Sequence, residues 1–269
     1  MTKISISTTM TNPNERMDPW REAIYCYEEI ADEVIVLGED WPNEFKWDYI
    51  GKKFHEGFEQ SKGDWVIRMD LDYFFHENDI EYIKNLLLKS KEYPAVAFPR
   101  HQYFTPDRYQ IISYLCIAVN KKFFPNIKLN GGGDLCLPTL DNKLINPLHM
   151  PLSKAPIWNY EMMFKTKEVI FNDRVRYAKA WYEQFGEWGV FGGGTKDEAY
   201  EAWLKLIKER YPKHVYRTKL KNHPKYIRKR LESLTPDKFG YDCFGLKQKV
   251  RFDKKEYIKK YINIFKKYK

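Results

Sequence analysis

The chain has few cysteines, and none is placed to do what cysteines usually do in clusters. Only four occur in 269 residues, Cys26, Cys116, Cys136 and Cys243, and no two share the short spacing of paired metal ligands. Structural zinc and a disulfide framework are therefore not expected, and reduced thiols in a cytoplasmic setting are. Long apolar runs are missing too. No stretch approaches the roughly 20 residues that span a bilayer. The opening Met1-Thr2-Lys3-Ile4-Ser5-Ile6 lacks the apolar segment of a signal peptide. Five glycines fall between Phe185 and Thr195, but no Gly-Lys-Ser/Thr follows them, so a phosphate-cradling P-loop is excluded there. No internal repeat is visible.

Aromatic residues are abundant, at 17%, and the 43% hydrophobic fraction is enough for a packed core. Charge is unevenly spread. Residues 201–269 hold 22 Lys and Arg against 7 Asp and Glu, whereas the first 200 residues are net acidic. A basic end of this kind suits peripheral contact with an anionic membrane or a phosphorylated acceptor. It carries no recognised nucleic-acid motif, so no specific nucleic-acid partner is expected.

Periodicity predicts strand, helix, strand, helix, strand over the first 72 residues: strands at Lys3–Thr8, Glu33–Leu37 and Trp65–Met69, and helices at Pro19–Ile30 and Tyr49–Gln60. Asp18-Pro19 reads as a helix cap followed by a first-turn proline. The apolar Glu33–Leu37 run looks like a central parallel strand. Alternation of this kind predicts an α/β fold with a Rossmann-type parallel sheet. A third helix is expected near Asp79–Lys89, strands at Ala95–Phe98 and Leu115–Val119, a polar and aromatic loop at His101–Gln110, and loops across 138–160. An amphipathic helix is expected at Ala199–Tyr211, followed by two or three basic helices. The predicted organisation is a nucleotide-binding domain over 1–184, a Gly-rich lid or linker over 185–198, and a basic helical extension over 199–269.

Asp70-Leu71-Asp72 falls at the carboxyl end of the third predicted strand, where ligands bind in open α/β sheets. Two carboxylates at i and i+2 can share a hard divalent cation with the oxygens of a diphosphate. The segments Asp32–Leu37 and Gly63-Asp64-Trp65 through Asp72 resemble the family 2-type glycosyltransferases of the GT-A fold, most closely over residues 1–100, with His223-Pro224 as a further shared element. The resemblance implies a UDP- or GDP-sugar donor, Mn2+ or Mg2+, and inverting transfer to a hydroxyl of a carbohydrate or lipid-linked acceptor. It implies Asp72 as a metal ligand and Asp70 as a ribose or metal contact. Donor-site contacts are assigned to Thr8, Thr9, Asp40, Lys52, Asp70 and Arg100. Asn159, in the position where such enzymes often carry histidine, and His149 are assigned as further metal ligands.

The catalytic base is assigned to Asp134 after Gly131-Gly132-Gly133, with Asp107 and Glu161 as alternatives. A carboxylate can take the acceptor's proton and stabilise a cation-like transition state. Arg100, His101, Tyr103 and Arg108 are candidates for gripping acceptor or diphosphate. Arg174, Arg176 and Lys179 are candidates for neutralising the leaving group, and Trp158 and Trp181 for stacking on sugar rings. Two other readings compete. A nucleotidyltransferase would need a glycine-rich basic loop after the first strand, where this chain has no glycine and only Arg16. A non-enzymatic polyanion binder would use the basic end alone.

Overall fold

The computed structural model describes residues 2–38, 46–130, 136–256, 258 and 259. The chain begins β1 (Ile4–Thr9), α1 (Trp20–Ile30), β2 (Glu33–Leu37), α2 (Trp47–Gln60) and β3 (Trp65–Arg68). β1 pairs in parallel with β2 on one side and β3 on the other. α1 and α2 are the two crossovers, each with an apolar stripe buried: Ala23, Cys26, Tyr27 and Ile30 on α1, and Ile50, Phe54 and Phe58 on α2. Close approach of α2 to β1 depends on Gly57, because a Cβ there would stand 2.0 Å from Ser7 Oγ.

The chain then runs through β4 (Tyr73–Phe74), α3 (Ile80–Lys89), β5 (Ala95–Thr105), β6 (Arg108–Asn120), β7 (Lys128–Asn130), β8 (Leu137–Leu140), β9 (Lys143–Leu144) and β10 (Ile157–Asn159). The main sheet has the order β2-β1-β3-β6-β5-β10-β4, while β7, β8 and β9 form a small antiparallel sheet. β6 runs antiparallel to both β3 and β5, and β10 runs parallel to β5. A parallel Rossmann-like half is thus joined to an antiparallel half in one mixed α/β sheet, and the parallel half is the part that the first 72 residues predict.

The remaining elements are α4 (Lys167–Phe185), α5 (Lys196–Arg210), β11 (Tyr216–Arg217), α6 (Lys225–Glu232), α7 (Phe239–Asp242) and α8 (Leu246–Lys249). Thr166 caps α4 at its start, and Gly186 closes it in the left-handed conformation at φ 74°. Thr195 and Glu198 form a reciprocal capping box for α5.

Four local expectations are corrected. Among the described residues Glu33–Leu37 forms an edge strand, paired with β1 alone, and Val36 is 42% exposed. Its apolar residues pack on the crossover helices α1 and α2 and not between two strands. His101–Gln110 is no loop but the tip of the long β5–β6 hairpin, where cross-strand packing such as Tyr103 against Tyr109 favours strand. Residues 138–160 include β8, β9 and β10. Asp18 does not cap α1: Pro19 holds the cap position, without a side-chain cap bond.

Residues 199–250 are woven into the body. β11 pairs with the start of β6. A third core, centred on Phe104, Ile170, Trp203, Ile207 and Phe239, joins the end of β5 to α4, α5 and α7. Basic residues of α6 face acids of the N-terminal half: Lys225 meets Glu29 at 2.6 Å, Arg230 meets Glu22 at 3.3 Å, and Arg228 pairs with Glu77. Much of the positive charge on this helix is therefore neutralised within the molecule. No helix among the described residues is long and apolar enough to cross a membrane.

Candidate active site

β3 ends at Arg68, and Met69 continues its pairing through a hydrogen bond from its N–H to Ser7 O. The chain then turns at Asp70-Leu71-Asp72 and departs as β4 on the far edge of the sheet. Three bonds fix this turn. The Tyr27 hydroxyl donates to Asp70 O at 2.6 Å, the Tyr73 N–H donates to Asp70 O at 2.8 Å, and the Tyr160 N–H donates to Asp72 O at 3.0 Å. The two carboxylates thus stand beyond the carboxyl ends of the parallel strands.

They open into a cavity of about 410 Å3. Its walls come from five regions of the chain. Thr9, Thr11, Arg16 and Asp18 belong to the end of β1 and the loop that follows. Trp47, Ile50 and Phe54 come from α2. Arg100, Gln102 and Phe104 come from β5. Asn159, Glu161, Met162 and Lys165 follow one another around the end of β10. The last wall is built by α4, α5 and Val190-Phe191 between them, with Arg174, Arg176, Tyr177, Trp181, Trp203, Leu206, Ile207 and Arg210. Charged and aromatic side chains both line it. Trp47 meets Trp181 edge-on at 5.3 Å, and Phe191 lies 5.0 Å from Trp181.

The acidic pair is electrostatically uncomfortable. Asp72 Oδ1 is enclosed and has no hydrogen-bond partner among the described residues. Burial, then the neighbouring Asp70, Glu161 and Asp18, push the Asp72 carboxyl well above the usual carboxylate range, against the opposing pull of Lys165. Asp70 lies 3.5 Å from Arg68. A cation shared by the two aspartates would relieve this repulsion. Their oxygens suit a hard divalent ion such as Mg2+ or Mn2+. Among the described residues there is no group of three or more His, Cys, Asp or Glu placed to hold a metal alone.

Of the residues assigned from sequence, Thr9, Asp70, Asp72, Arg100, Asn159, Glu161, Arg174, Arg176 and Trp181 meet at this cavity. Arg100 is buried and donates to the Tyr73 hydroxyl at 2.8 Å. Asn159 is buried, and its Oδ1 accepts the Glu161 N–H at 2.9 Å, so that oxygen already shapes the turn.

Others stand elsewhere. Thr8 is fully buried and is not among the cavity's walls. Lys52 projects from α2, its side chain 72% exposed and paired with Asp48 at 2.5 Å. His149 is exposed at the end of the short 3-10 turn Pro147–His149. Asp107 meets Lys247 at 3.0 Å, Arg108 lies over the Phe252 ring at 3.5 Å, and Lys179 is exposed. His101 stacks on Tyr109, and Trp158 stacks on Tyr103 at 5.3 Å, so these aromatics pack the hairpin and do not line the cavity. Asp40, Asp134 and Gly131-Gly132-Gly133 lie outside the described residues.

His223 is a structural clasp. Its Nδ1 lies 2.7 Å from the Tyr160 hydroxyl and its Nε2 2.7 Å from Pro106 O. A carbonyl can only accept, so Nε2 carries the proton and Nδ1 accepts from Tyr160. Burial pushes this imidazole down to about 4, so it is neutral near pH 7.

Sequence reasoning does not reveal a buried ionic cluster of Arg16, Asp18, Lys165 and Asp173, with Lys165 and Asp173 2.5 Å apart. Asp18 is readable only as a helix cap, and nothing in the spacing joins it to Lys165. The aromatic wall is only half legible, because helical periodicity marks Trp203 and Ile207 as core without showing that they also face a cavity.

No protein-family profile matches the chain, and no curated protein sequence matches it. Among solved structures it is similar to residues 1–349 of TarS from S. aureus. The two share 10% sequence identity and a TM-score of 0.35, over 79% of this chain and 81% of that one.

Proposed function

We propose that this protein is a glycosyltransferase that binds the diphosphate of a UDP- or GDP-sugar at Asp70 and Asp72, together with Mn2+ or Mg2+. The observation that carries this reading is the Asp72 carboxylate, enclosed among like charges with an oxygen that has no partner among the described residues, at the strand-end mouth of a cavity. A divalent ion would supply charge neutralisation for the diphosphate and for the leaving group.

The chain's own residues then have separable tasks. Asp70 and Asp72 orient the diphosphate end of the donor. Arg174 and Arg176 stand on the cavity wall where negative charge grows as the sugar leaves. The aromatic wall of Trp47, Tyr177, Trp181 and Trp203 excludes water and packs against a ring-shaped ligand. Glu161, 3.8 Å from Arg174, is the described carboxylate best placed to take the proton of an acceptor hydroxyl, with Asp134 as its rival for that role. Attack opposite the leaving diphosphate would invert the anomeric centre. The acceptor is a carbohydrate or a lipid-linked glycan, and the basic residues of 247–259 offer peripheral contact with an anionic membrane.

The test is to incubate the purified protein with a panel of UDP- and GDP-sugars, with Mn2+ or with a chelator. Metal-dependent donor hydrolysis or transfer is expected. Glu161→Gln should lower turnover with little change in donor affinity if Glu161 is the base. Full turnover in that variant would hand the role to Asp134.

A further inference from the structure

Four charged side chains from distant parts of the sequence meet behind one wall of the cavity. Arg16 and Asp18 lie in the loop between β1 and α1, Lys165 follows β10, and Asp173 lies on α4. Lys165 Nζ is 2.5 Å from Asp173 and 3.3 Å from Asp18. Arg16 is 3.0 Å from Asp18 and 3.3 Å from Asp173. Lys165 and Asp173 are 2% and 3% exposed. Arg16, Asp18 and Lys165 reach the cavity surface, whereas Asp173 does not.

The formal charges of the four cancel. A neutral ionic cluster attracts an anion weakly, and burying it costs desolvation that an apolar replacement would avoid. Its strength is in fixing geometry. The loop it grips needs such support. Asn12 and Met17 both hold positive φ, 44° and 59°, a conformation that side chains with a Cβ adopt at a cost. Within residues 12–18 the backbone-to-backbone ties are short-range, such as Arg16 N–H to Asn12 O and Asp18 N–H to Pro13 O, and besides the cluster the Arg230 guanidinium donates to Met17 O at 3.0 Å. Yet this loop supplies Thr11, Arg16 and Asp18 to the cavity wall.

We propose that Asp173 is a positioning residue that grips Lys165 and Arg16 from behind the wall, fixes the β1–α1 loop, and so presents both cations to the phosphate oxygens of a ligand. The ligand half of this claim rests on the proposed nucleoside diphosphate site. The loop half does not.

The experiment compares full-length wild type with Asp173→Asn by two readouts. The first is amide hydrogen exchange of residues 12–18 without ligand, and the second is calorimetric titration with UDP and GDP in Mn2+. Loss of charge-assisted bonds should speed loop exchange about tenfold and weaken nucleotide binding about tenfold. The sign of the binding change is decisive. If the cluster served only as a source of charge, removing one negative group would tighten the binding of an anion. Unchanged loop exchange, or binding that is equal or tighter, overturns the proposal. A wild type that binds neither nucleotide removes the diphosphate reading alone, and the exchange measurement then decides the role of Asp173. Should Asp173→Asn not fold, the uncharged double variant Lys165→Met/Asp173→Leu is measured in the same way. It is expected to fold and to show the same loosening, and wild-type exchange in it would overturn the proposal.

Discussion

The Tyr27 hydroxyl donates to the backbone carbonyl of Asp70 at 2.6 Å, so a residue of the first crossover helix holds the turn that carries both acidic side chains. Tyr27 is fully buried, and its oxygen also lies 3.1 Å from Tyr73 O. Burial pushes its phenol well above the ordinary tyrosine range, so it remains a hydrogen donor at every accessible pH. Tyr27→Phe preserves the packing and removes the bond. The expected cost is about 1–2 kcal/mol of stability, read from urea unfolding. A lower affinity for nucleoside diphosphate should accompany it, because the turn is free to shift. Unchanged affinity would show that the remaining backbone bonds suffice to hold Asp70 and Asp72.

Neutralising Asp72 should have an unusual sign. Its carboxyl is pushed up by burial and by Asp70, Glu161 and Asp18, so the charged form is disfavoured in the folded protein. A carboxyl whose folded-state pKa is raised destabilises the fold once pH exceeds that of an ordinary carboxylate. Asp72→Asn is therefore expected to melt at or above the wild-type temperature at pH 7 without ligand, by scanning calorimetry. A clear fall in melting temperature would mean that the carboxylate stabilises the fold.

Acid sensitivity should come partly from two imidazoles. His214 and His223 are fully buried, and burial pushes each down to about 4 from the ordinary 6.5. The unfolded chain takes up these protons first as pH falls. Their contribution to stability is complete above about 6.5 and is lost progressively toward about 4, each imidazole giving up about 1.4 kcal/mol for every pH step of one through that window. Urea midpoints between pH 7.5 and 4.5 should decline accordingly, and the slope should be shallower for His223→Gln. An equal slope would assign the decline to other groups.

Docking of α6 onto the N-terminal half depends on charge. Glu77 pairs with Arg228 and also accepts the Lys225 N–H at 2.8 Å. Glu77→Ala should destabilise the protein by about 1 kcal/mol at low salt, with a smaller effect at high salt where such surface pairs are screened. Thermal denaturation at two ionic strengths checks this. A salt-independent loss would mean that the glutamate acts through packing.

Much of the framework is legible in the sequence because it is local. β-branched and apolar runs alternate with helical periodicity over the first 72 residues, and this alone places Asp70 and Asp72 at a strand end. The Glu33–Leu37 strand reads as central because its apolar composition does not reveal how many neighbours it has. The β5–β6 tip reads as a loop because its aromatic and polar residues, including His101, Tyr103 and Tyr109, alternate only once the cross-strand partner is known. The ionic cluster is illegible for a similar reason. Arg16 and Asp173 lie 157 positions apart, and only the folded chain brings them within 3.3 Å. His149 and Lys52 have side chains of the type that binds a metal or a phosphate, and the fold turns both out toward solvent.

In the proposed function, Asp70 and Asp72 bind a nucleoside diphosphate through a divalent cation. The most direct test is calorimetric titration of UDP and GDP into wild type and Asp72→Asn, each with Mn2+ and with a chelator. Wild type is expected to bind at least one nucleotide in Mn2+, to lose that binding in chelator, and to lose it in Asp72→Asn while that variant remains folded. Equal affinity with and without metal, or wild-type affinity in Asp72→Asn, would contradict it.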